Sequence, residues 1–218
     1  MRLCECYGLK ETGILVNIGP EDKERKPASV GQIAFSADVR IVDSGGKDVP
    51  QGEVGEIIGR APSATAAYFK DEERTRQAFK NGWFHTGDLG WFDEEGFLYL
   101  AGRSKDMIIS GGQIVFSVEV EDTLMSHPAV AECAVIGLPD DKWGERVTAV
   151  VVRATGAHVS TEEIIAHCRE KLAGFKTPKR VIWVDEPLPR TPTGKVKKVH
   201  LGGEVLVTGA TSRGADVA

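Results

Sequence analysis

At 218 residues, with 41% hydrophobic and 27% charged side chains, the chain has the balance of a globular protein of one or two domains, which excludes disordered and fibrous classes. A formal net charge of -5 argues against nucleic acid as the main partner, and no apolar run reaches membrane-spanning length. The cysteines at 4, 6, 133 and 168 lack the paired spacing of a zinc site, the histidines are scattered, and Met1–Glu5 is not a signal peptide, so a reduced cytoplasmic setting is expected.

In chain order, residues 30–60 alternate apolar and polar side chains in short runs, Val39-Arg40-Ile41-Val42 and Glu56-Ile57-Ile58, broken by Gly45-Gly46 and Pro50. That pattern predicts a small antiparallel β unit. Residues 63–80 take a helical pattern that closes toward Asn81-Gly82, and a hairpin follows, with Trp91-Phe92 and Phe97–Leu100 flanking the turn Asp93-Glu94-Glu95-Gly96. Beyond the polar connection at 102–105, strands alternate with helices: a strand at Met107-Ile108-Ile109, a helix over 117–126, and strands over 131–137 and 146–153. A Ser160/Glu163 capping box opens a helix that ends at Gly174, Cys168 falls on its apolar face with Ile164, Ile165 and Leu172, and Arg180–Val184 supplies another strand. From about 201 the sequence turns to small residues and reads as a frayed tail, because the glycine spacing around Thr208-Gly209 does not match a dinucleotide turn.

Several polar residues carry possible chemistry. Pro192 and Gly194 disfavour a helix, so Lys195 belongs on a loop, where a lysine is ordinarily a solubilising charge. Asp88, between Gly87 and Leu89, is placed in a tight turn; a carboxylate there either caps the turn or holds vicinal hydroxyls. Gly111-Gly112 is either a hairpin turn or a place where backbone comes close to a ligand. His85, beside Trp83 and Phe84, is read as packed and is given no role, and Lys197 and Lys198 are read as a solvated face.

Four stretches stand together in one order: YGLKETG at 7–13, GWFHTGDLG at 82–90, GRSKDMIISGG at 102–112 and PTGK at 192–195. Over nearly all of residues 1–200 the chain resembles the adenylate-forming ligases, the superfamily of acyl-CoA synthetases, aryl-CoA ligases, luciferases and peptide-synthetase adenylation domains. The resemblance implies an α+β fold: a β-rich remnant of the large AMP-binding domain over 1–101, a hinge over 102–105, a small mobile α+β C-terminal domain over 106–200, and a disordered tail over 201–218. It implies that Asp88 and Arg103 bind the ribose of ATP, that Tyr7 stacks on adenine, and that Glu11 is the Mg2+ ligand, a hard oxygen donor suited to that ion. It implies that Lys195 is catalytic, its ammonium neutralising the charge that builds up as a carboxylate meets the α-phosphate. Lys105 falls at the hinge position, and Gly111 and Gly112 at the coenzyme A loop. Two positions depart from the family: Lys10 stands where threonine is usual, and Ile114 where asparagine is common.

The resemblance thus implies ATP, Mg2+ and coenzyme A as cofactors and an acyl-CoA synthetase as the function; fatty and aryl acids are both open, and the texture of residues 82–112 favours the fatty-acid type. Residues 1–218 contain no TSGTTG-like phosphate loop. The chain is therefore expected to be a C-terminal part, inactive alone, for which a separate N-terminal half is a candidate partner. A non-catalytic module and an adenylation domain feeding a carrier protein are the competing readings.

Overall fold

In the computed structural model, which describes residues 4–192, 194–198 and 201, the chain divides after Lys105 into two units. The first is almost entirely antiparallel. Strands β1 (Glu5–Leu9) and β2 (Gly13–Ile18) form a hairpin, α1 (Pro20–Arg25) follows, and β3 (Gln32–Ile33) completes a three-stranded sheet. A second sheet contains β4 (Asp38–Val42), β5 (Gly55–Arg60), β6 (Phe79–Lys80), β7 (Trp83–Phe92) and β8 (Leu98–Arg103), with α2 (Glu72–Ala78) leading into β6. The alternation read from 30–60 puts Val39, Ile41 and Ile57 into one core with Leu15, Val16, Val30 and Leu98. Side-chain direction reverses at each strand residue, so this pattern supplies one apolar face.

Three readings of this unit need correction or addition. The helix expected over 63–80 occupies only its second half, because Lys70 takes φ 53 and Asp71 caps the helix by accepting from the Arg74 amide at 3.0 Å. Asp88 lies not in a tight turn but within β7, since the apolar pattern on either side keeps that strand paired with both β5 and β8. Gly102 and Arg103, assigned to the connection, belong to β8, and a short 3-10 turn, Ser104–Asp106, carries the division.

The second unit is a five-stranded mixed sheet with two helices. Strands β9 (Met107–Ser110) and β10 (Gln113–Phe116) form a hairpin, α3 (Ser117–Met125) follows, and the long strands β11 (Val130–Asp140) and β12 (Gly144–Arg153) pair antiparallel. After α4 (Thr161–Lys171), β13 (Arg180–Val184) joins β12 in parallel. Strand β10 was not anticipated. Val115, Val120, Val135, Val147, Val151, Ile164, Cys168 and Val181 form the core beneath the helices. Ala134, Ile136, Leu138, Val150 and Ile182 form a second cluster that includes Leu188 and Leu201, with Val196 packed against it. Both sheet faces are covered, the second by the chain after β13. Leu201 is thus buried rather than the start of a tail, and the remainder of the expected tail lies outside the described residues. Lys198, expected to be solvated, instead pairs with Glu121 at 2.7 Å with both side chains largely covered.

Candidate functional site

Asp88 owes its position to a bulge. Glu56 pairs with Leu89 and Ile58 with His85, so Thr86, Gly87 and Asp88 together stand opposite Ile57. Gly87 takes φ 70, a conformation glycine adopts without steric cost, and the strand is re-aimed there. Thr86 Oγ1 donates to the Ile57 carbonyl at 2.6 Å and accepts from the Asp88 amide at 3.0 Å. Glu56 accepts from the Gly87 amide at 3.2 Å and meets His85 Nδ1 at 2.8 Å, so His85 serves to hold this bulge.

Asp88 is 9% exposed, and its carboxylate has one protein donor on each oxygen. Tyr7 Oη donates to Oδ2 at 2.9 Å, and Arg103 Nε, directly across the β7–β8 pair, donates to Oδ1 at 3.0 Å. An ionised carboxylate offers about four lone-pair sites, so acceptor capacity remains on both oxygens. Burial, and then the adjacent Asp88 carboxylate, push the Tyr7 phenol well above its ordinary range, which keeps it a proton donor to Asp88. The Tyr7 ring is packed in the unit's core, so its visible role is to orient Asp88.

Glu11 sits at the tip of the β1–β2 hairpin, in the connection Lys10-Glu11-Thr12. Thr12 is buried and braces that tip, accepting from the Leu9 amide at 3.3 Å and donating to the Gly13 carbonyl at 3.1 Å. The Glu11 carbonyl accepts from the Thr65 amide at 2.7 Å, and Oε1 accepts from Tyr68 Oη at 2.8 Å. Lys10 is exposed. Among the described residues no group of three or more His, Cys, Asp or Glu could hold a metal by itself. A single oriented carboxylate nevertheless fits Mg2+, which binds through one or two carboxylates together with substrate phosphates and retained waters.

In the second unit, Gly111 (φ 58) and Gly112 (φ 76) form the two-residue tip of the β9–β10 hairpin, which requires positive φ at both. A Cβ on Gly111 would lie 2.9 Å from the Trp143 ring, and the Gly111 amide donates to the Trp143 carbonyl at 2.8 Å. Ile114 is half exposed beside this tip. Lys105, exposed, stands at the division between the units. Lys195 is exposed on a turn in which Gly194 takes φ 85; the Thr191 amide donates to the Lys195 carbonyl at 2.8 Å. Tyr7, Asp88 and Arg103 are therefore in direct contact, whereas Gly111, Gly112 and Lys195 belong to the other unit. Glu56 and Tyr68 were missed, because only the strand register and the fold of 63–71 bring them to motif residues far away in sequence, and the bracing role of Thr86, inside the motif at 82–90, shows only in the bulge.

The model of the AMP-binding enzyme family matches residues 1–69, and that of the AMP-binding enzyme C-terminal domain matches 119–195. A 2-succinylbenzoate–CoA ligase of Bacillus cereus (strain Q1) is 42% identical over 198 residues, 90% of this chain and 40% of the relative. Among solved structures, the o-succinylbenzoate CoA synthetase of Bacillus subtilis in complex with its acyl-adenylate intermediate is 39% identical with a TM-score of 0.86, over 92% of this chain and 41% of that one. ATP-bound MatB from Rhodopseudomonas palustris is 39% identical with a TM-score of 0.85, over 93% and 40%. The chain thus spans about 40% of the length of the curated relatives it matches. Among the described residues, no helix is long and apolar enough to cross a membrane.

Proposed function

We propose that this chain, which belongs to the AMP-binding enzyme family of adenylate-forming enzymes, carries the ribose, metal and lysine elements of an acid–CoA ligase that joins a carboxylic acid to coenzyme A at the expense of ATP. The observation that carries this reading is Asp88: a nearly buried carboxylate, oriented by Tyr7 and Arg103, that keeps an acceptor site on each oxygen. Two such sites match the adjacent hydroxyls of a ribose.

In the first step a carboxylate oxygen of the acid attacks the α-phosphorus of ATP, a P–O bond forms, the bond to the bridging oxygen breaks, and pyrophosphate leaves with its electron pair. Negative charge concentrates between two groups that repel each other. The Lys195 ammonium supplies the opposing charge, worth most where that repulsion peaks. Glu11 would hold Mg2+, which when bound offsets the charge of the phosphates. In the second step the thiol of coenzyme A loses its proton, sulfur attacks the acyl carbon, and AMP departs. Gly111 and Gly112, exposed at their hairpin tip, are assigned to the approach of that thiol arm, and Lys105 to the pivot between the steps.

The relatives named for 2-succinylbenzoate favour an aromatic carboxylic acid over the fatty acid suggested by sequence texture. The test is a chimera in which residues 4–201 replace the matching segment of the Bacillus subtilis synthetase, assayed for ATP–pyrophosphate exchange that depends on 2-succinylbenzoate. Exchange in the chimera, and a raised KM for ATP in its Asp88→Ala variant, are expected. An unchanged KM in that variant would contradict the ribose assignment.

A further inference from the structure

The turn that carries Lys195 is tied to the second unit's sheet by side chains with no place in the chemistry above. Leu188 and Leu201 are buried on the sheet face away from the helices, and Val196 packs beside them, so the segment has apolar anchors before and after the turn. Between them the turn closes on itself: Gly194 donates to the Thr191 carbonyl at 2.9 Å, and the Lys195 amide donates to Thr191 Oγ1 at 3.1 Å. These contacts shape the turn but do not attach it to the sheet.

Arg190 adds a polar link from the turn to the sheet. Its Nη1 donates to the Gly194 carbonyl at 2.9 Å, one residue before Lys195, while Nη2 donates to Glu132 Oε2 on β11 at 2.9 Å. The same Glu132 oxygen accepts from the Leu188 amide at 3.4 Å. Beyond the turn, Lys198 Nζ donates to Ser117 Oγ and pairs with Glu121 Oε1 on α3, each at 2.7 Å. The Arg190–Glu132 pair is substantially exposed, and exposed ion pairs contribute little to stability. Its value lies in geometry. A planar guanidinium reaches two acceptors in fixed directions, which a lysine ammonium cannot reproduce.

We propose that Arg190, held by Glu132, is a positioning residue that fixes the direction in which Lys195 leaves its turn; this rests on the reading of Lys195 as the charge that neutralises adenylate formation. Arg190 touches no reacting atom and acts only through the Gly194 carbonyl.

Two measurements test it. In the 218-residue chain, Arg190→Lys and Arg190→Gln are each expected to speed amide hydrogen exchange at residues 194–196 and to leave the melting temperature unchanged. In the chimera, both variants are expected to slow adenylation roughly 10- to 100-fold, the cost typical of a misplaced catalytic group, with KM for ATP unchanged. Thioester formation from supplied acyl adenylate should stay at its original rate. Full recovery of adenylation in Arg190→Lys, or equal losses in both half-reactions, would overturn the proposal, because charge alone or general damage would then suffice. If the Lys195→Ala control keeps full adenylation, the underlying reading fails instead. The amide exchange then decides alone, with unchanged exchange refuting the tether and faster exchange sustaining it.

Discussion

The two units hold their key charges in opposite ways. In the first, Asp88 is nearly buried in mid-strand, with donors from Tyr7 and Arg103 and a bulge braced by Glu56 and Thr86. In the second, Lys195 is exposed on a turn that Arg190 links to the sheet. A group that holds a ligand gains from being set by the fold before the ligand arrives, and burial strengthens its hydrogen bonds. A group that neutralises charge only during reaction can remain solvated, because it has no resting partner to lose. Nucleotide affinity should therefore follow the integrity of the first unit, and the adenylation rate the turn of the second.

The most forceful way to break this contrast is to remove the platform under Asp88. Ile57 is fully buried opposite the bulge, and Ile57→Ala should cost about 2–5 kcal/mol. Amide exchange should rise across residues 4–103 while α4 and β12 keep their protection; a uniform rise over both units would show that they do not stand independently. A milder change is Asp88→Asn, which keeps the shape but removes the charge from bonds worth about 1.5–3 kcal/mol each. In the chimera it should raise KM for ATP about 10- to 100-fold with little change in adenylation rate at saturating ATP. A change in rate alone would assign Asp88 to the chemistry instead.

The smallest effect concerns pH in the second unit. Burial raises the Glu121 carboxyl above its ordinary range, with Lys198 and the Val135 amide pulling the other way. The folded chain then holds that proton more tightly than the unfolded chain, so Glu121 contributes stability at low pH that is lost as pH climbs through its folded value. Asp140 behaves oppositely: the Trp143 amide and Arg146 lower it, and its contribution is lost on acidification. The melting temperature of the unsubstituted chain relative to Glu121→Gln should rise as pH falls through the carboxylate range, and a flat difference would show that Glu121 is not desolvated.

Much of the second unit was legible because its signals are local. The Ser160/Glu163 capping box is present in both directions and starts α4, and Arg180–Val184 is a strand as read. Strand β10 was missed because Gln113–Phe116 is short and follows two glycines, and the helix over 63–80 was overextended because the break at Lys70 is marked by neither glycine nor proline. Linear motifs drew attention to Tyr7, Glu11, Asp88 and Arg103 in the first unit and to Lys195 in the second. Glu56, Tyr68 and Glu132, which brace their surroundings, could not be found that way, since strand register and loop packing bring them there from distant segments, and Thr86, though inside a motif, shows its bracing role only in the bulge.

The most direct test of the central claim compares the two half-reactions in the chimera carrying Lys195→Ala. The account predicts that acyl-adenylate formation falls about 10²–10³-fold, as for removal of a group that stabilises transition-state charge, while conversion of supplied acyl adenylate to thioester keeps its original rate. Equal loss in both steps, or no loss in the first, would contradict it.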